Sequence, residues 1–595
     1  MNSKSTWNWI ILALALFLFI FFYERHVHKP MPGPIKVLPQ IHAVEVKSIQ
    51  VNPSGHLKIQ AVVTNGVWRL TSPVDYPAQS LAVESLLVAL ENLVPATLIT
   101  ARELRERPNF DKEYGFEDPQ FSIHLEYEGH DTQILVGSLT APGDQLFLQV
   151  VGTEGVYVVD AGLLRYLPRS GDDWRDTSLV DLSKLRFDQI DIHNGELIIT
   201  LQQNPTNGLW TMTHPLQSRV DNARLQEWLQ LLQTLRVNRF VTDDPKVDLE
   251  TFGLQPPELQ LSLLSGTNSV AVLQFGKATT NDTPQLYARR DGINSVVAVA
   301  AQPVAPWRAR VEELRDHRFV TFNREIGGFE FRGEDNFDVL RGSNAWKIVQ
   351  ESYPVDTVLV NDLAATLALM QITQFKDAVT VADLETYGLA NPSRTITLLP
   401  IDAKGVAETN GTLQLSFGSE VETNVYVRRS DEDSVYAVKL EDYVQLPSAA
   451  WQLRERRLWN FSDDDVARLV VKQNGKTREL IRNGTNSWGF GPGSQGIINE
   501  FAIEEAVHRL GELTVTHWVA LGDEFRSQYG IGTNGLSLTV ELKDGRKAAV
   551  EFGDTSSTRH PYAATVIDGQ TWVYEFPFGL YQLVNSYLTI PADAP

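Results

Sequence analysis

At 595 residues, with 43% hydrophobic and 21% charged residues, the chain has the composition of a folded protein too long for one core, and a figure of roughly 150 residues per domain sets an expectation of about four domains. A net charge of −22 repels polyanions and excludes a nucleic-acid role. The absence of cysteine excludes disulfides, thiolate metal sites and cysteine nucleophiles.

The chain opens with a short tail, residues 1–6, and then a nearly continuous apolar run, Trp7 to Tyr23, with no polar residue from Ile10 to Phe22. As a helix this run would be about 26 Å long, enough to cross a bilayer, with Trp7, Trp9 and Tyr23 at the ends where aromatic rings favour the headgroup layer. It closes on Phe21-Phe22-Tyr23-Glu24-Arg25 without the small residues a signal peptidase needs, so the expectation is an uncleaved signal anchor over residues 7–23. Lys4 precedes the run, whereas Arg25, Lys29 and Lys36 follow it, so local charge does not favour a cytoplasmic N-terminus. A short tail ahead of a lone anchor usually stays inside, and on that ground the bulk of the chain is expected in the periplasm. Residues 24–40 carry Pro30, Pro32, Pro34 and Pro39 and read as a semi-rigid stalk. His26 and His28 in the stalk have no carboxylate partner at a ligand spacing and read as incidental.

Beyond the stalk the chain repeats itself. Asp248-Leu249-Glu250-Thr251-Phe252-Gly253-Leu254 recurs as Asp383-Leu384-Glu385-Thr386-Tyr387-Gly388-Leu389, and weaker copies sit at Tyr114-Gly115-Phe116 and Tyr529-Gly530-Ile531. Four landmarks recur in order. The first is a strand tryptophan, Trp68, Trp210, Trp346 or Trp488, followed by Pro73, Pro215, Pro354 or Pro492. The second is an amphipathic helix, with Val83, Leu86, Leu87, Leu90 and Leu93 on one face in the first copy and Leu225, Trp228, Leu229, Leu232 and Leu235 in the second. Leu363, Leu367 and Met370 mark it in the third copy; Ile503, Ala506, Val507, Leu510 and Leu513 mark it in the fourth.

The third landmark is the aromatic-glycine triplet, in which Gly115, Gly253, Gly388 and Gly530 are expected to end a helical turn in the left-handed conformation. The fourth is a strand ending in glycine, at Gly137, Gly276, Gly418 and Gly553, followed by a meander whose hairpins are signalled by Asp291-Gly292 and Asp568-Gly569. The expected fold class is therefore α+β: four tandem domains, residues 41–180, 181–319, 320–459 and 460–595, each an antiparallel sheet with helices packed on one face.

Several motifs with chemical associations read better as structure. Gly491-Pro492-Gly493-Ser494-Gln495-Gly496 matches a dinucleotide fingerprint, but the same slot holds Thr71-Ser72-Pro73-Val74 and Thr213-His214-Pro215-Leu216 in other copies, so a connector is expected. Asp463-Asp464-Asp465 lacks the alternating acids of a calcium loop and reads as a solvated turn. Arg289-Arg290 and Arg428-Arg429 read as a charged outward sheet face. Arg175-Asp176, Arg315-Asp316 and Arg454-Glu455 recur where copies meet, which points to ion pairs at the junctions, with a basic groove as the alternative. No triad, metal-ligand spacing or phosphate loop is expected, and no cofactor.

The anchor, the tryptophan strand with its proline, the helix, Tyr387-Gly388-Leu389-Ala390-Asn391-Pro392 with Phe417-Gly418, and Phe252-Gly253-Leu254-Gln255-Pro256-Pro257 with Phe275-Gly276 together resemble the bacterial family called domain of unknown function 4340. The first copy departs from it with Val136-Gly137, and the fourth lacks the proline after Tyr529-Gly530-Ile531. The resemblance implies a membrane-anchored protein whose gene accompanies those of an ABC transporter of the gliding-motility type, and assigns no catalytic residue. The functional expectation is a non-enzymatic scaffold in the bacterial inner membrane, partnered with an ABC-transporter-type complex. The alternative is a cell-envelope binding protein that stacks sugar rings on Trp174, Trp307, Trp451 and Trp518. The oligomeric state is left open.

Overall fold

The computed structural model describes residues 3–27, 35–54, 57–279, 284–322, 324–342, 345–402, 404–532 and 535–589. His28, Lys29, Pro30, Pro32 and Pro34 of the expected stalk lie outside them. The N-terminal helix α1, Ser3–Val27, extends past both ends of the expected run. Its described side chains, Trp7, Trp9 and Ile11 to Tyr23, are all exposed. Among the described residues no helix is long and apolar enough to cross a membrane.

Among the described residues beyond α1 there are four antiparallel sheets, and the chain forms two compact units, Met1–Arg315 and Asp316–Pro595, each holding two of the sheets. In the first sheet the strands are β1 Val46–Pro53, β2 Ile59–Thr64, β3 Val67–Ser72, β4 Tyr76–Pro77, β5 Thr97–Ile99, β6 Phe121–Tyr127, β7 His130–Leu139, β8 Gln145–Val150 and β9 Val156–Asp160, in the spatial order β4-β3-β2-β1-β6-β7-β8-β9-β5. The second sheet repeats this order strand for strand, and the third and fourth repeat it without the counterpart of β4. Because β4 and β5 hold opposite edges, the helix between them, α2 Ser80–Glu91, must cross the sheet.

Alternation sets the inward face. In β6 the side chains of Phe121, Ile123, Leu125 and Tyr127 are buried while Ser122, His124 and Glu126 between them are not. The crossing helix closes that face. Val83, Leu86, Leu87 and Leu90 of α2 enter the first core, and Leu225, Trp228, Leu229 and Leu232 of helix Asn222–Thr234 enter the second. The third core takes Val360, Leu363 and Leu367 from Thr357–Leu369; the fourth takes Ile503, Ala506, Val507 and Leu510 from Glu500–Gly511. Each such leucine contributes about 2 kcal/mol by leaving water. Three of the helices start on a side-chain cap: Asp221 Oδ1 accepts from Arg224 N at 3.1 Å, Asp356 Oδ1 from Val358 N at 2.9 Å and Asn499 Oδ1 from Ala502 N at 3.1 Å. Trp68, Trp210 and Trp488 are buried beneath them, whereas Trp346 is half-buried beside Phe329.

The expectation that helices lie on one face holds for the long helix only. The aromatic-glycine turn packs a second, smaller layer on the opposite face. In the first copy Leu104, Tyr114 and Phe116 cluster there with Val156 and Phe147, and Tyr114 stacks on Phe147 at 4.2 Å. Comparable clusters form around Leu384 and Leu389, and around Ile531. The expectation of strands ending at Gly137, Gly276, Gly418 and Gly553 is also corrected. Each strand continues beyond its glycine, and the pairing register shifts there in all four copies, between Val136 and Leu139, Phe275 and Ala278, Phe417 and Glu420, and Phe552 and Thr555.

The reason is contact between two landmarks. A methyl on Gly137, Gly276, Gly418 or Gly553 would overlap the carbonyl oxygen of Tyr114, Phe252, Tyr387 or Tyr529 respectively. In two copies the bulge also bonds that carbonyl, from Ser138 N at 2.7 Å and Ser419 N at 2.9 Å. The glycines of the turn, Gly115, Gly253, Gly388 and Gly530, adopt φ of 80°, 68°, 68° and 70°, the left-handed conformation. The two glycine signatures are thus the two halves of one contact between turn and sheet. Among the hairpins, Asp568 and Gly569 both take positive φ and form a tight turn, while Asp291-Gly292 begins a longer loop to Val296.

Candidate functional site

Within each compact unit, the residues expected at the junction of its two repeats sit on a short connector that hydrogen-bonds to both. In the unit Met1–Arg315 the connector around Arg175 forms a bridge with Ala78 in the first repeat, and Asp176 N donates to Pro77 O at 2.9 Å. Three residues on from Arg175, Ser178 bridges to Arg236 in the second repeat, and Val237 N donates to Thr177 O at 2.6 Å. The backbone therefore joins the sheets before any side chain does.

The Arg175 guanidinium lies at this seam with 1% of its surface exposed. It makes a two-pronged pair with Asp243, Nη2 to Oδ1 at 2.7 Å and Nη1 to Oδ2 at 3.0 Å, across 68 residues of sequence. Asp172 Oδ1 takes a further bond at 3.2 Å, and Ser295 Oγ receives Nη2 at 2.8 Å while donating to Asp243 at 2.6 Å. The ring of Phe240 lies 3.6 Å and that of Tyr76 4.3 Å from the guanidinium carbon. Burial by itself would raise the Asp243 carboxyl; the bonds from Arg175 and Ser295 outweigh it and hold the group below its ordinary range. Burial pushes the Tyr76 phenol up to about 12.

The unit Asp316–Pro595 has a counterpart with different chemistry. Arg454 bridges to Val355, Asp356 N donates to Leu453 O at 2.9 Å, and Glu455 N donates to Pro354 O at 2.8 Å, all toward the third repeat. Arg457 bridges to Thr514 and Val515 N donates to Arg456 O at 2.9 Å, toward the fourth. The Arg454 guanidinium rests on aromatic faces, 4.3 Å from Trp572, 5.2 Å from Tyr353 and 5.8 Å from Trp518, and burial lowers its pKa. The carboxylate contact here belongs to Arg456, whose Nε meets Asp356 Oδ2 at 2.7 Å.

Arg315 and Asp316 fall in different units. In the first unit Arg315 is 1% exposed, bridges to Val220 and donates from Nε to Ser218 Oγ at 3.0 Å. In the second, Asp316 accepts from Arg318 Nε at 3.1 Å, and Phe319 N donates to Met370 O at 2.9 Å. Asp176 and Glu455 serve the connector locally, accepting from Ser178 N at 2.9 Å and Arg457 N at 3.2 Å. Sequence reasoning found the three arginines but missed Asp243, Ser295, Tyr76, Phe240 and Trp572. None of these has a local signal: Asp243, Ser295, Phe240 and Trp572 meet their arginines from the neighbouring repeat, and Tyr76 lies 99 residues before Arg175 in the sequence.

Other expectations resolve similarly. Trp174, Trp307 and Trp518 are buried and Trp451 is half-buried, so the first three present no open ring face to a sugar. Arg429, expected on an outward face, is 2% exposed and bonded to Phe319 O at 2.7 Å and Asp431 at 2.9 Å; Arg289 donates to Ile293 O at 3.3 Å. In the segment Gly491–Gly496 a methyl on Gly491 would meet the Glu479 carboxylate, and Ser494 Oγ is engaged by Glu479 N at 2.8 Å. A carboxylate in that place repels pyrophosphate. Asp463–Asp465 forms a short helical turn in which Asp465 Oδ2 accepts from Ser462 N at 2.9 Å. Among the described residues no group of three His, Asp or Glu is placed to hold a metal ion.

These features define a tandem-repeat protein: one α+β module, mainly β, used repeatedly and stitched through arginine-bearing connectors. The chain belongs to the family described as Domain of unknown function (DUF4340), whose model matches residues 68–208, 210–375 and 346–530, each match starting at a landmark tryptophan. No curated protein matches the chain. Among solved structures, a DNA polymerase sliding clamp from Pseudomonas aeruginosa aligns over 67% of this chain and 94% of that chain, at 9% identity and a TM-score of 0.12, a likeness too slight to carry an argument.

Proposed function

We propose that this protein is a non-enzymatic scaffold anchored in the bacterial inner membrane by α1, with its repeats in the periplasm as an accessory subunit of an ABC-transporter-type complex. The observation that carries the reading is α1 itself. Its described side chains from Ile11 to Tyr23 are apolar on every side of the helix and exposed throughout. An apolar helix without a polar face needs a lipid or protein environment. The positions that recur between copies are spent on turns, bulges and seams, which favours rigid display of a surface over turnover.

Affinity purification of the full chain from gently solubilised membranes tests the partner. Co-purification of membrane transport subunits at fixed stoichiometry is expected; recovery of the chain alone counts against the scaffold. Protease treatment of intact spheroplasts tests the side: the repeats are expected to be digested, and protection of the repeats would reverse the orientation.

A further inference from the structure

The crossing helix of the first repeat carries exposed apolar residues on its outer side, as do Thr357–Leu369 of the third, with Val358 and Leu369, and Glu500–Gly511 of the fourth, with Phe501; in the first repeat they lie next to the segment that leads from α1. Along α2, Leu81, Ser85, Val88 and Asn92 follow a spacing of four, three and four, which puts them on one outward stripe. Leu81 is 71% and Val88 49% exposed. On helix Asn222–Thr234 of the second repeat the exposed residues include Arg224, Gln226, Glu227 and Gln230, with no large apolar side chain among them. Glu84 is the exposed carboxylate on the α2 face; Glu91 is turned to Ala43 N at 3.0 Å.

At the N-terminal end of α2 the stripe opens into a groove of about 580 Å³ between Leu81, Ala82 and Ser85 on one side and Leu164 to Arg169 on the other. Arg165, Tyr166 and Arg169 are exposed on its rim, and among the described residues neither guanidinium has a carboxylate partner. The one acid lining the groove, Asp173, is occupied by Arg169 N at 2.7 Å and Ser170 N at 2.9 Å. The corresponding loop of the second repeat differs, since its Arg308 is paired with Glu258 at 3.2 Å.

At the other end of α2 the chain arrives from the anchor. Val37 N donates to Leu93 O at 2.8 Å, and Lys36 Nζ donates to Asn92 Oδ1 at 3.1 Å. From Val27, the last residue of α1, to Val37 the chain can reach at most about 35 Å. The C-terminal end of the stripe, itself about 18 Å long, is therefore tethered within about 35 Å of the end of α1.

We propose that the first repeat lies on the membrane surface next to its own anchor, with Leu81 and Val88 against the lipid and Arg165 and Arg169 on the phosphates of anionic headgroups. This rests on α1 being the membrane anchor. Exposed Leu81 and Val88 next to exposed arginines and a tyrosine combine the apolar, cationic and aromatic groups that favour the lipid–water interface. With a net charge of −22 the chain as a whole is repelled by anionic lipid, so two arginines without a carboxylate partner, at the end of α2 away from the tether, orient this one face toward it. Two such arginines favour an anionic over a neutral surface by roughly 30-fold.

Because the chain has no cysteine, a single probe site can be placed at will. Full-length protein carrying Leu81→Cys, Val88→Cys or, as control, Gln230→Cys is labelled with an environment-sensitive dye. It is reconstituted into phosphatidylcholine vesicles with and without phosphatidylglycerol, and quenched by spin-labelled lipid. Co-flotation with the vesicles reports the anchor in the same sample. Quenching at Leu81 and Val88 but not at Gln230, stronger with phosphatidylglycerol and at least halved by Arg165→Gln/Arg169→Gln, is the expected result. Protein that floats while Leu81 and Val88 stay as unquenched as Gln230 overturns the docking and leaves the anchor standing. Protein that does not float overturns both, and quenching indifferent to the double substitution overturns the headgroup assignment.

Discussion

At the scale of single residues, Arg175 shows why a buried charge tells more about geometry than about net stability. Its burial costs several kcal/mol, which Asp243, Asp172 and Ser295 offset only because their oxygens are in place. Removing Asp243 leaves the cation buried and underpaired. Asp243→Ala is expected to destabilise the Met1–Arg315 unit by about 3 kcal/mol in urea unfolding, at the low end for a buried pair because Asp243 is itself partly exposed. The pH dependence has a definite sign. The folded carboxyl is held below its unfolded value of about 3.9, so its contribution is present above that value and is lost as pH falls through the lower, folded pKa. An acid titration of stability is expected to lose this increment in Asp243→Ala; identical acid limbs for the two proteins would contradict the pairing.

The glycines divide by the same logic. Gly276→Ala would drive a methyl into the Phe252 carbonyl, whereas Gly405→Ala only pays for a positive φ in open space. Thermal unfolding should register about 1 kcal/mol for Gly405→Ala and at least about 2 kcal/mol for Gly276→Ala. Equal losses would mean the turn and the bulge do not touch.

Among elements, the crossing helices and the connectors bear the fold. Leu232→Ala, which empties a fully buried site, is expected to cost about 3 kcal/mol, while Gln230→Ala on the outward face of the same helix should change denaturation by less than about 0.5 kcal/mol. The connectors look like loops in the sequence but hydrogen-bond like strands. Amide exchange at Val237 and Val515 should be slowed as strongly as in the sheets; exchange at loop rates would show the stitching to be open in solution.

Much of this level was legible beforehand. The apolar period of Leu225, Trp228, Leu229 and Leu232 and the left-handed glycine of Phe252-Gly253 are local consequences of chain geometry. The second layer around Tyr114 and the bulge at Gly137 were not, because both arise from one contact between segments distant in sequence. The partners of Arg175 were hidden for the same reason. A guanidinium announces a charge to be met, but the chain between Arg175 and Asp243 decides where it is met.

For the molecule as a whole, the proposed anchor would govern what the repeats can do. A chain with a net charge of −22 gains little from membranes by bulk electrostatics, so the attachment proposed above would have to come from apolar surface. The described side chains of α1 from Ile11 to Tyr23 are exposed and apolar, the kind of surface such an attachment needs. Carbonate extraction of membranes from cells expressing the full chain tests this most directly. The account expects the protein to stay in the pellet at high pH and to appear in the supernatant when residues 1–34 are removed. Full-length protein released by carbonate as readily as the shortened chain would contradict it.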